Sequence, residues 1–251
     1  MQFSKWHALG NSYLVVEQPD AGRLTPARVV RLCSIETGIG SDGVLEVTGR
    51  DGTHAAVTIW NPDGSTAEMS GNGVRIAARW LAAETGAEEV TIETADRRIA
   101  ARMIDALMTD TDVGAFAVGE TEAVDGIELT TASVGNPHAV LRLEDPTRDD
   151  LLRLGPLVET HARFEARTNV QLVRVDGRHD LTVLVWERGA GETSASGSSS
   201  VAAAAVAVER GWGESPVTVH LPGGDLQVRI ADGRAARTGP AERIAWGSTD
   251  L

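Results

Sequence analysis

The chain has a single cysteine, Cys33, in 251 residues, so no internal disulfide can form and an intracellular setting is expected. It also lacks a basic stripe. Lys plus Arg number 23 against 36 Asp plus Glu, a net charge of −13, which argues against a nucleic-acid partner. Long apolar runs are missing too. The longest small-apolar run, Val201–Val208, falls far short of the roughly 20 residues that span a bilayer. The opening residues Met1-Gln2-Phe3-Ser4-Lys5-Trp6-His7 show no charged segment leading into an apolar core, so no signal peptide is expected. His7, His54, His161, His179 and His220 have no metal-ligand spacing, and no metal is expected. What remains is the expectation of a soluble cytoplasmic protein with no membrane partner.

What the chain does contain is one pattern written twice. Met69-Ser70-Gly71-Asn72-Gly73 and Ala195-Ser196-Gly197-Ser198-Ser199 each run into an alanine-rich apolar stretch, and their serines stand 126 residues apart. Gly10-Asn11 and Gly135-Asn136 precede those serines by 59 and 60 residues, counted from the asparagines. Asn61 and Glu187 each precede them by nine, and Asp42 and Asn169 by 28 and 27. With the β-type runs Val90–Glu93 and Val217–His220, which follow Gly86 and Gly211/Gly213, this makes four markers in register within one residue and implies a duplicated unit of about 120 residues, a common domain size. The expected division is residues 1–115 and 116–251.

A helix that starts at such a turn leaves its first N–H groups without intrahelical partners and favours an anion there. The N–H groups of Gly71-Asn72 and Gly197-Ser198 are therefore candidate carboxylate binders. Strands are expected at Tyr13–Val16, Val44–Val47, Ala55–Trp60, Val90–Glu93, Ala139–Leu143, Val170–Val175, Leu181–Trp186 and Val217–His220, all short and rich in apolar or β-branched residues. Thr25-Pro26 reads as a cap with proline at the first helical position, opening a helix to about Glu36. A further helix is expected over Arg148–Leu154 and Val158–Arg163. Asp110–Glu122 reads as the loop-rich crossing between the halves, Asp42-Gly43 as a turn, and Cys33 as a buried apolar residue. The class is α/β (α+β).

The run Lys5-Trp6-His7-Ala8-Leu9-Gly10-Asn11, the segment Gly38-Ile39-Gly40-Ser41-Asp42-Gly43 and the stretch Asn61 to Gly73 together resemble the diaminopimelate epimerase family. Gly135-Asn136-Pro137-His138, Arg167-Thr168-Asn169-Val170 and Glu187-Arg188-Gly189-Ala190-Gly191-Glu192-Thr193 continue the resemblance, in the family's order, over the whole chain. The resemblance implies two pseudo-symmetric lobes, each a mixed sheet around a central helix, with the active site in the interlobe cleft. It implies an isomerase of lysine biosynthesis that needs no pyridoxal phosphate or other cofactor. One group removes the α-proton of a small amino-acid-like substrate, a diamino diacid, and a second returns a proton to the opposite face. Asn11, Asn61, Asn136, Asn169, Glu187 and Arg188 would hold the substrate's amino and carboxylate groups, with Arg188 suited to bidentate contact. His138 would support the site. Dimers are usual for this fold, so a homodimer is carried as an expectation.

The catalytic positions depart from the family, which has a cysteine at each; this chain has Ser70 and Ser196. A thiol near pKa 8.5 is readily lowered at a helix start. A hydroxyl is many units less acidic, and each unit costs about 1.4 kcal/mol of proton-transfer driving force. The helix dipole supplies only about 1 kcal/mol in exposed settings. A neighbour such as His138 or Glu187 would have to activate the serines. Three readings follow: a serine variant of an amino-acid epimerase, a relative recruited to a different isomerisation or cyclisation, and a silent binding protein. Taken singly, Ser70 and Ser196 are ordinary N-caps, Asn11 and Asn136 turn residues, and Glu187-Arg188 a surface pair. The matched register favours the functional readings.

Overall fold

The computed structural model describes residues 1–95 and 97–251, which cluster into two units, Met1–Thr111 with Gly239–Leu251, and Asp112–Thr238. In the first unit the order is β1 (Gln2–Ala8), β2 (Asn11–Glu17), α1 (Gln18–Ala21), α2 (Pro26–Cys33), β3 (Val44–Asp51), β4 (His54–Trp60), β5 (Thr66–Ala67), α3 (Gly71–Thr85), β6 (Glu89–Glu93), β7 (Arg98–Met103) and β8 (Met108–Ala115). The second unit has β9 (Ala117–Val124), β10 (Ile127–Ser133), β11 (Pro137–Arg142), α4 (Arg148–Glu159), β12 (Asn169–Gly177), β13 (Asp180–Glu187), β14 (Gly191–Thr193), α5 (Gly197–Glu209), β15 (Val217–Leu221), β16 (Gly224–Ala231) and β17 (Arg234–Pro240). β18 (Glu242–Ser248) closes the chain.

The two units use the same pairing grammar. β1 and β2 are antiparallel, β2 and β3 parallel, β3 and β4 antiparallel, and β4 and β6 parallel. In the second unit β10–β11, β11–β12, β12–β13 and β13–β15 repeat that sequence of senses. Parallel neighbours demand long crossovers, and α2, α3, α4 and α5 supply them. Each unit has one central helix. α3 buries Val74, Ile76, Ala77, Ala78 and Leu81 against strand residues including Leu45, Ile59 and Ile92. α5 is buried on every side through Val201–Ala207, as a helix apolar all round must be.

Every strand expected from the sequence overlaps one that forms. Three differences are instructive. Asp110–Glu122 is not loop but the end of β8 and most of β9. β8 does alternate, yet its inward residues include Thr109 and Thr111, almost fully buried, so no aliphatic signal marked it. α4 is continuous from Arg148 to Glu159, with Pro156 inside it, where the expected helix left out residues 155–157 and ran on to Arg163. Its capping box, Thr147 with Asp150, fixes the start. Finally, Gly239–Leu251 clusters with the first unit although the expected boundary put it in the second. β18 pairs antiparallel with β1, from Gln2 opposite Ser248 to His7 opposite Glu242, and this pairing decides its membership. Cys33 is buried on α2 beside Val29 and Leu32, and burial pushes its thiol pKa up. Among the described residues no helix is long and apolar enough to cross a membrane.

Candidate active-site residues

In the first unit the site grows from the start of α3. Ser70 is the N-cap, in extended conformation, and its Oγ accepts from the Gly73 N–H at 3.0 Å. The capping role is therefore real, but it uses only one of the hydroxyl's interactions. The Tyr13 hydroxyl, on β2, lies 3.1 Å from Ser70 Oγ. Asn72 donates to Asn11 Oδ1 at 3.4 Å and accepts from the buried Arg75 at 2.8 Å. Asn11, at the head of β2, is thus brought to the start of α3. Asn61 behaves differently: its amide donates to Ser65 Oγ at 2.9 Å and closes the 61–65 turn. Asp42 accepts from the backbone and hydroxyl of Ser12 at 2.7 and 2.9 Å, which makes it the tie across the mouth of β2. A pocket lined by Lys5, Ser12, Cys33, Ser41, Asp42 and Pro62 opens beside that loop.

The second unit reaches the same topological point with different chemistry. Ser196 occupies the N-cap of α5, is 3% exposed and makes no side-chain cap bond. Glu187, at the end of β13, is its acidic neighbour. Burial pushes the Glu187 carboxyl above its ordinary value, and the Ser196 hydroxyl pulls it back in part. His138 is buried on β11, with Nε2 2.9 Å from Asn136 Oδ1. Burial lowers its pKa to about 3; the Gln171 amide counteracts slightly and the Arg188 guanidinium adds to the fall. It is a neutral ring that orients Asn136. Asn169 spends both ends on the backbone, donating to the Pro137 carbonyl at 2.9 Å and accepting from the Arg188 N–H at 3.0 Å. Arg188 itself is exposed and donates to the Ala166 carbonyl at 3.1 Å. Gly197 opens α5 against Arg237, whose guanidinium fills the space a Cβ would need.

Three residues were missed by sequence reasoning. Tyr13 looked like one more apolar strand position. Glu159 holds the Glu187-Arg188 turn from below, accepting from Trp186 Nε1 at 2.7 Å and the Gly189 N–H at 2.8 Å, with Arg167 at 3.1 Å. Gln171 donates to Ser199 Oγ at 3.0 Å inside the second core. The one available signal was arithmetic, since Tyr13 precedes His138 by the repeat spacing. Three of the other histidines pair with carboxylates, His54 with Glu93, His161 with Asp125 and His220 with Asp180 and Asp225, while His7 and His179 contact backbone groups. Among the described residues no group of three or more His, Cys, Asp or Glu side chains could hold a metal ion.

The family described as diaminopimelate epimerase matches residues 3–110 and 130–244. A diaminopimelate epimerase of a Synechocystis strain is 34% identical over 282 residues, covering 100% of this chain and 99% of that protein. Diaminopimelate epimerase 2 of a Nostoc strain is 39% identical over 276 residues, covering 100% and 97%. Among solved structures, a protein from Pseudomonas aeruginosa described as a predicted epimerase superposes with a TM-score of 0.76 at 19% identity, covering 100% and 99%, which shows a shared fold.

Proposed function

We propose that this chain, which belongs to the diaminopimelate epimerase family and is an isomerase, inverts the α-carbon of a diamino diacid by proton transfer without a cofactor. The observation that carries the reading is the equivalence of Ser70 and Ser196, each at the start of a central helix in a unit of the same topology. Inversion needs a proton acceptor on one face of the carbon and a donor on the other, and it needs negative charge on the carboxylate to be stabilised as it develops. Helix-start N–H groups at Gly71-Asn72 and Gly197-Ser198 suit the second task. Asn11, Asn61, Asn136, Asn169, Glu187 and Arg188 support recognition of the substrate's polar ends, with Asn169 acting through the backbone of Arg188. The reading includes a place in lysine biosynthesis, a cytoplasmic location and assembly as a homodimer.

Titration calorimetry with the stereoisomers of diaminopimelate tests the substrate, and α-proton exchange in deuterated water tests the reaction. Binding of at least one stereoisomer and slow exchange are expected. Ser70→Cys combined with Ser196→Cys is expected to raise exchange about tenfold or more, because a thiol lies closer to the ordinary pH range. No binding by any stereoisomer would overturn the substrate class; equal exchange before and after would show that the serines are already matched to their task.

A further inference from the structure

The two helix starts are served by different partners, and the difference bears on how a hydroxyl can do a thiol's work. We infer that Tyr13 is a positioning residue for Ser70, acting as the proton store through which the Ser70 hydroxyl exchanges a proton with the substrate. The inference deepens the epimerase reading and rests on it. Tyr13 is 6% exposed while Ser70 is partly open, so of the two hydroxyl-bearing residues Ser70 is the more accessible to a substrate. The hydroxyls are 3.1 Å apart, a distance at which either can be the donor. Gly73 N–H already fills one acceptor site on Ser70 Oγ, which leaves one lone pair and the O–H to divide between Tyr13 and the substrate.

The placement of the ring is built in. Gly43 lies against it, where a Cβ would come within 2.6 Å of Tyr13 Cε1 and 2.5 Å of the Trp60 carbonyl oxygen. In the acidic form Tyr13 O–H donates to Ser70 Oγ and the Ser70 O–H points outward. In the basic form Ser70 O–H donates to the Tyr13 phenolate and a lone pair faces outward. Removal of an α-proton then breaks the Cα–H bond, forms a new O–H bond on Ser70 and passes the former Ser70 proton to the phenolate. The electron pair stays on the α-carbon, conjugated with the carboxylate; return of the proton runs the same steps backwards. A free phenol is intrinsically several units more acidic than an aliphatic hydroxyl, which brings it nearer to a thiol. In the second unit the equivalent position is His138, which bonds Asn136, and Glu187 is the group beside Ser196.

Tyr13 is the only tyrosine in the chain, so the ultraviolet tyrosinate band reports this residue alone in the intact protein. Ser70→Ala is expected to raise the Tyr13 titration midpoint, since a phenolate loses a donor, and Ser70→Thr to leave it nearly unchanged. An unchanged midpoint in Ser70→Ala would overturn the pairing without any substrate being present. In the exchange assay Tyr13→Phe is expected to slow α-proton exchange about 100-fold. The same change in a Ser70→Cys chain is expected to alter the rate less than about threefold, because the thiol needs no store. Equal losses in both chains would mark Tyr13 as merely structural and sink the inference. Binding with no exchange in the unmodified chain would also overturn it, whereas failure to bind with a normal titration would overturn only the substrate reading.

Discussion

Two serines and one histidine show what burial does to single residues here. Ser70 remains partly open, caps its helix and meets a phenol; Ser196 is closed off and leans on a carboxyl. Identical residue types at equivalent positions thus have different proton partners, and only side-chain packing decides which. His138 carries a testable consequence. Its folded pKa of about 3 lies below the ordinary 6.5, so the native state keeps it neutral while the unfolded chain binds a proton. The stability it contributes is complete above pH 6.5 and is lost as pH falls towards 3. Carboxylates such as Glu159, held below 4.5, join the loss only at lower pH. Glu187, raised above 4.5 by burial, acts in the opposite sense as it protonates, so comparison with His138→Gln is what separates the histidine. Exposed His220 shifts the other way, upward, and its contribution is already in place below 6.5. Urea unfolding should lose about 2–3 kcal/mol between pH 6.5 and 4.5, and His138→Gln should flatten the slope.

At the scale of elements, the turns and helix starts were legible because their residues have strong local preferences. Thr25, Ser70 and Thr147 all cap where small hydroxyls precede a helical pattern. β8 and β9 were not, because the buried face of β8 is mostly threonine and β9 buries only Val124, so neither displays an apolar period. Nor was the passage of α4 through Gly155-Pro156, since local rules end a helix there while packing continues it. Gly155 lies against Trp186, and a Cβ on it would stand 2.6 Å from Trp186 Cγ. Trp186 in turn is anchored to Glu159 on the same helix. Gly155→Ala should therefore destabilise the protein by about 1–3 kcal/mol through overpacking, despite the better helix propensity of alanine. A shift of the urea midpoint at constant slope would measure it.

For the molecule as a whole, the last strand is the feature that sequence order hides. β18 pairs with β1, the amino terminus donates to the Thr249 carbonyl at 2.8 Å, and Arg28 donates to the Leu251 carbonyl at 2.8 Å. Removing residues 242–251 should strip β1 of one neighbour and lower the melting temperature by about 5 °C or more. Amide exchange should quicken in β1 and β2 and stay slow in β12 and β13. Equal loosening of both sets would mean that the units do not unfold as their contacts divide them.

The sequence by itself determined the duplication, the positions of both central helices, the family and the residues that stand at the two helix starts. All of these are encoded as spacing and local preference, which a linear chain displays. It could not determine which side chains serve Ser70 and Ser196, since Tyr13 and Glu187 reach them from strands 57 and nine residues away. Nor could it show that His138 is kept neutral, or that the final strand belongs with the first. Those depend on burial and on pairing between distant segments, and both exist only once the chain is folded.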